Sequence, residues 1–233
     1  MTRCGADLRE IGEGSVSMEE VANKIVRYLY EGVADTETGE RSFALVRLFK
    51  THAYEELDTE LREFAAEVLG HEPTDPSTKC LTLLATAGSK KHWNSRDTSS
   101  GHKVIPLPSE EMLTAFPMIS NLVSQLGFEV KDVLNPAPNV LMDIDQRTYN
   151  VFYEPNALGS EYIVAQQDFV IPEQIRSCLG FGGMLPSGNL FAVIMFSRVP
   201  ITPNVASMFR TVSLSVKLAL LPFETNVFRG PAR

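Results

Sequence analysis

Apolar residues recur at helical spacing in four stretches and at strand spacing in six shorter runs, so the pattern predicts a mixed chain. Ser17-Met18-Glu19-Glu20 reads as a capping box, with Ser17 capping the backbone and Glu20 reaching back. Val21, Ile25, Tyr28 and Leu29 then make one apolar face of a helix running to about Gly32. After a polar turn from Asp35 to Arg41, the run Ser42-Phe43-Ala44-Leu45-Val46-Arg47-Leu48-Phe49 predicts a strand apolar on both sides, hence buried on both sides. Asp58 to Gly70 follows as a helix with Leu61, Phe64, Ala65 and Leu69 on one stripe and Gly70 as its stop, and Cys80 to Ala87 as a second strand.

Gly88 to Lys103 interrupts this regularity with four bases, one acid and the single Trp, which predicts a long loop or an insertion. Pro108-Ser109-Glu110-Glu111 opens a helix reaching Gly127, mildly kinked at Pro117. Val140 to Ile144 and Tyr149 to Tyr153 are expected as short strands on either side of a turn, and Pro155 to Glu161 as another loop. The two runs Ile175 to Leu185 and Leu190 to Ser197 flank Pro186-Ser187-Gly188-Asn189, turn chemistry that predicts a hairpin of two central antiparallel strands. Folding back of Gly182 to Asn189 is expected to bring Leu179 beside Ile194 in the sheet core. Thr202-Pro203 supplies an N-cap and an N1 proline for a last helix that Pro222 ends.

That helix carries two stripes. Val205, Met208, Phe209, Val212, Val216 and Leu220 are expected to cover the sheet, while Leu214, Leu218 and Leu221 need a second cover. The capping-box helix or a partner subunit would supply it.

Composition narrows the function classes. At 233 residues with 44% hydrophobic and 21% charged positions, the chain is long enough and apolar enough for one large or two small globular domains. The net charge of −8 lies wholly in residues 1–80, where 17 acids face 9 bases, and this balance argues against general nucleic-acid binding. Nothing near the N-terminus resembles a secretory signal, which gives a cytoplasmic expectation. The uncharged stretch Ser177 to Ser197 is 21 residues long, but its central turn speaks for a hairpin and not a membrane helix. No membrane partner is expected.

The order helix, strand, strand, variable middle, glycine-rich hairpin and closing helix resembles the GAF family of bacterial sensor domains. The likeness is sharpest from Ile175 to Leu221: a strand of the type I-R-S-x-L-G, a turn bearing Gly188-Asn189, an apolar strand ending in Phe196-Ser197, and a helix started by Thr202-Pro203. The resemblance implies an α+β fold, GAF/PAS-like, with a central antiparallel sheet, terminal helices on one face and a variable segment walling a ligand pocket on the other. It divides the chain into a flexible segment 1–16, a single sensory domain 17–222 whose variable part is 88–170, and a tail or linker 223–233. It further implies signal transduction of the two-component kind: dimerisation through terminal helices, here Leu214, Leu218 and Leu221, and an attached or separate output domain such as a histidine kinase or nucleotide cyclase.

Candidate ligand contacts follow from residue type. In the Lys90 to Lys103 loop, Trp93 can stack on a planar ligand while Asn94 and nearby cations close over it, although a solvated loop with Trp93 packed on the sheet edge explains the same residues. Tyr149, Phe152 and Tyr162 suit a pocket wall or plain core packing. Arg176 is expected on the same strand face as Cys178 and Gly180, where its charge needs an ion pair, with Asp143 or Asp145, or a ligand. The ligand remains an unidentified small molecule, and no cofactor is specified. Asp143-Ile144-Asp145 otherwise reads as the start of a turn.

The alternative is a thiol-dependent enzyme on the same scaffold, such as a methionine sulfoxide reductase, using Cys80 or Cys178. The cysteines Cys4, Cys80 and Cys178 lack the clustering such chemistry uses, and neither the Cys-His pair of bilin-binding members nor the signature of cyclic-nucleotide-binding members is found. The four histidines, His52, His71, His92 and His102, lack metal spacing and are expected at the surface or hydrogen-bonded.

Overall fold

The computed structural model describes residues 2–34, 39–99, 101–136 and 150–228. Its centre is a six-stranded antiparallel sheet built from β1 (Phe43–Ala53), β2 (Lys79–Gly88), β3 (Val104–Leu107), β4 (Val151–Glu154), β5 (Ser177–Met184) and β6 (Leu190–Ser197). The spatial order is β3-β2-β1-β6-β5-β4. This is the α+β, GAF/PAS-like arrangement: β1 and β6 lie in the middle because both are apolar on both sides and require cover above and below.

Terminal helices cover one face. α2 (Met18–Gly32) starts at Ser17, whose hydroxyl accepts from the Glu20 amide at 3.3 Å while the Glu20 carboxylate accepts from the Val16 amide. It packs on β1 and β2. The expected last helix is two, α7 (Pro203–Met208) and α8 (Arg210–Leu220), divided at Phe209; as one rod to Phe223 the segment is long and apolar enough to cross a membrane, yet half of it is buried inside the fold. Phe209, Val212, Val216 and Leu220 face the core as expected, whereas Val205 and Met208 are exposed.

The cover on α8's second side differs from expectation. Residues Thr2–Glu10, expected to be flexible, form a helix (α1) that packs against α8 and buries Leu8 completely. Leu8 is joined in that contact by buried Gly5 and half-buried Cys4. Leu221 is half-buried, and Leu214 and Leu218 remain 39% and 43% exposed.

The opposite face is roofed by α4 (Glu110–Thr114), α5 (Pro117–Gln125), α6 (Val130–Leu134) and the irregular residues 155–175. The predicted single helix is broken, not kinked, ahead of Pro117, because proline at the first helical position starts α5 anew. α3 (Thr59–Leu69), capped by Asp58 and stopped by left-handed Gly70, closes the β2–β3 end of the sheet. The predicted strand Val140 to Ile144 lies outside the described residues.

The hairpin register corrects one expectation. Leu179 pairs with Met195 and faces the helices, whereas Ile194 pairs with Gly180 and faces the roof. Both belong to the core, on opposite sides of the sheet.

The segment after α8 folds back over the helix-covered face. Carbonyls of Asn226 and Val227 accept from the Met18 and Glu19 amides at 2.9 and 2.8 Å, satisfying donors that a helix N-terminus leaves open. Phe228 stacks on His52, with ring centroids 5.2 Å apart. His52 is buried, contrary to expectation, and neither ring nitrogen makes a well-formed hydrogen bond among the described residues. Burial first, and the neighbouring Lys50 charge second, hold its imidazole well below 6.5. Lys50, also buried, is pushed down to about 8.

A pH dependence follows. Unfolded, the imidazole binds a proton near 6.5; folded, it binds only well below that, so its contribution to stability is full above that pH and is lost as pH falls through it. Lys50 acts in the same sense but between about 8 and 10.5, outside this window. Melting temperature is therefore expected to fall steeply from pH 7 to 5, and H52F, which keeps the stack on Phe228, to flatten that slope. Parallel pH profiles for the two proteins would contradict the assignment.

Candidate functional site

The roofed face of the sheet has a floor of small residues. Ala44, Cys178, Gly180, Gly182 and Ala192 lie there among Leu45, Phe49, Ile194 and Phe196. Gly180 accepts the Phe152 ring, whose atoms would stand 3.3 Å from an added Cβ, and a Cβ on Gly182 would press on the Phe191 carbonyl and on Leu126. Small floor positions thus let roof side chains descend to the strands. Leu113, Ile119, Leu122, Val123, Leu126 and Ile163 fill the space, and the layer is close-packed. A shallow cleft beside Asp58, Glu60, Arg96, Asp97 and Lys103 is lined largely by charge.

Two sets of contacts clasp the roof at one rim. The first is aromatic: Trp93 meets Phe169 edge-on at 5.7 Å, and Phe169 meets Phe196 at 4.8 Å. The second is ionic. Glu173, buried, takes Lys90 at 2.6 Å on one carboxylate oxygen and Arg198 at 3.2 Å on the other. Lys90 also sits 4.9 Å from the Trp93 ring centroid, and Arg198 donates to Ser89 and to the Glu173 carbonyl. Beside the clasp, Gln166 holds a π-helical turn, Gln166–Val170, by donating to the Ala157 and Ile163 carbonyls, and Gln174 takes a left-handed backbone at φ 57°. Such departures from regular geometry cluster where a segment moves or binds.

One charge stands on the floor itself. Arg47, in the middle of β1, pairs with Ile194 and Thr86 and therefore points to the roofed side. Its guanidinium donates to the Ser99 hydroxyl at 2.8 Å and more weakly to the Gly101 carbonyl at 3.4 Å, and its Nε is buried without a partner. No carboxylate approaches it among the described residues, and burial pushes its pKa down to about 10. His102 beside it has a left-handed backbone at φ 59°, and desolvation together with the Arg47 charge lowers its imidazole.

The sequence-selected residues divide accordingly. Trp93, Phe152 and Cys178 come together in this one apolar layer. Asn94 stands at the rim, where its side-chain amide is spent on the Gly88 and Lys90 backbone. Tyr162 is half-buried on the loop before the π-turn. Tyr149, Asp143 and Asp145 lie outside the described residues. Arg176 precedes β5 and is exposed, so it is not a floor residue; the strand expected from Ile175 begins at Ser177. The charge on the floor, Arg47, was not singled out from the sequence, although it is the lone ion in the run Ser42 to Phe49.

The thiols are poorly set for nucleophilic chemistry. Burial pushes Cys80 up to about 12 and Cys178 well above its ordinary value. Among the described residues no three His, Cys, Asp or Glu side chains form a metal-holding group.

No protein-family model and no curated protein matches this chain. Among solved structures it is similar to the N-acylhomoserine lactone dependent LuxR-family transcription factor CepR2 from Burkholderia cenocepacia, over 96% of this chain and 94% of that one, with 9% identity and a TM-score of 0.43. A likeness of that size carries no argument about what either site binds.

Removing the Glu173 charge tests the clasp. E173Q leaves Lys90 and Arg198 without a counter-ion at the rim and is expected to cost about 1–2 kcal/mol, since both cations keep some contact with water. Trp93, the single tryptophan, should then emit further to the red and be quenched more readily by acrylamide. Unchanged emission and quenching would show that Glu173 does not hold the roof.

Proposed function

We propose that this chain is a small-ligand sensor module, which binds its ligand between the sheet floor and the clasped roof and signals through its terminal helices. The observation that carries the reading is the unequal covering of one sheet: small residues and a separately clasped roof on one face, terminal helices on the other. A ligand entering the roofed side must displace apolar side chains from the floor, and it shifts the protein only if it binds that opened arrangement better. Trp93, Phe152 and Cys178 would line such a space, with Asn94 and Tyr162 at its edge. The thiol-enzyme reading has less support, because its nucleophiles are buried and protonated.

Output is assigned to the helix-covered face. Leu214 and Leu218 leave an exposed apolar stripe on α8 that suits a second copy of the chain, with Leu221 at its end. A dimer built so would place two C-terminal segments side by side, as a cytoplasmic histidine kinase or nucleotide cyclase requires of its input.

Native mass spectrometry of the freshly purified full chain tests the receptor reading. A small molecule retained by the folded protein and lost on denaturation is expected; a ligand-free mass from every source, with no stabilisation by any member of a metabolite library, would overturn it. Light scattering tests the output face: a dimer at micromolar concentration is expected, converted to monomer by L218E. A wild-type monomer would remove the dimer from the proposal.

A further inference from the structure

Arg47 is a partly buried cation with an enclosed Nε and no counter-ion among the described residues, and a charge so placed is expensive to leave beside an apolar floor. Its neighbours on the roofed face are Leu45, Phe49, Ile194 and small residues, and its partners among the described residues are a serine hydroxyl and one distant carbonyl. The other two cations at this site, Lys90 and Arg198, already share the carboxylate of Glu173. An unpaired guanidinium in low dielectric is stabilised most by an anion that matches its planar fork. Arg47, with no counter-ion among the described residues, calls for one negative charge, and beyond its polar neighbours Thr86, Ser99 and His102 the floor of Leu45, Phe49 and Ile194 offers apolar contact.

Resting on the receptor reading above, we propose that the ligand of this face is an apolar monocarboxylate, its head group held by Arg47 and its hydrocarbon body laid on the Gly180, Gly182 and Ala192 floor. The Nε–H, without a partner among the described residues, donates to one carboxylate oxygen, and the Ser99 hydroxyl, which also donates to the Gly101 carbonyl, can yield its place on the terminal nitrogen to the other. Ligand entry then trades the Arg47 to Ser99 bond for an ion pair and releases Ser99 from the guanidinium.

Thermal unfolding of the full chain at fixed ionic strength, with octanoate, octanamide and inorganic phosphate as probes, decides the matter. In the ligand-free protein R47M should melt no lower than wild type, because methionine fills an apolar site without burying a charge. Millimolar octanoate should raise the wild-type melting temperature by about 2 °C or more, octanamide and phosphate by clearly less, and R47M should lose the difference between octanoate and octanamide. Both results are required. A lower melting temperature for R47M would make Arg47 a structural pin for the loop; equal shifts by octanoate and octanamide, zero included, would overturn the carboxylate class; a larger shift with phosphate would overturn it in favour of a phosphorylated ligand. None of these outcomes touches the receptor reading, which stands or falls on the retained mass.

Discussion

Strands apolar on both sides impose the constraint from which the rest of this structure follows. β1 and β6 cannot leave either face to water, so the chain must build two covers for one sheet. The covers are unlike. On one side, long helices lie directly on the strands, are braced by α1, and are tied to the C-terminal segment through the open amides of α2. On the other, three short helices and an irregular stretch are gathered over small residues and held at the rim by aromatic edges and one buried carboxylate. Short helices gain little from their own hydrogen bonds and depend on packing, which makes the second cover the weaker one.

Because successive side chains of a strand point to opposite faces, the two covers share their foundations. Gly180 and Ile194 sit under the roof while the adjacent Leu179 and Met195 sit under the helices. A displacement of β5 or β6 on one side is therefore felt on the other without any special route between them. This is the physical content of the proposed sensor: a weak cover that a ligand can rearrange, and a strong one that reads the rearrangement.

Features set by neighbouring residues were legible in the sequence. Ser17 and Asp58 cap helices, Thr202-Pro203 starts one, and Gly188 turns the hairpin with φ 78°. What depends on distant partners was not. Glu173 meets Lys90 and Arg198 only because the sheet and its loops place them together, and nothing in their spacing announces it. α1 was hidden because a helix that leans on another element needs little apolar surface of its own. β3 is four residues long and carries a proline at the sheet edge, which weakens any strand signal. Arg176 was placed by alternation in a strand that begins only after it, at Ser177. The same alternation, applied to Arg47 in its doubly apolar strand, would have pointed to the charge that the floor holds.

Native-state hydrogen exchange tests the central claim most directly. Amides of α4 to α6 and of 155–175 are expected to exchange through local opening, with small free energies that hardly respond to denaturant, while those of α2, α8, β1 and β6 exchange only with global unfolding. Equal protection of the two covers, or a helix-covered face that opens first, would contradict it.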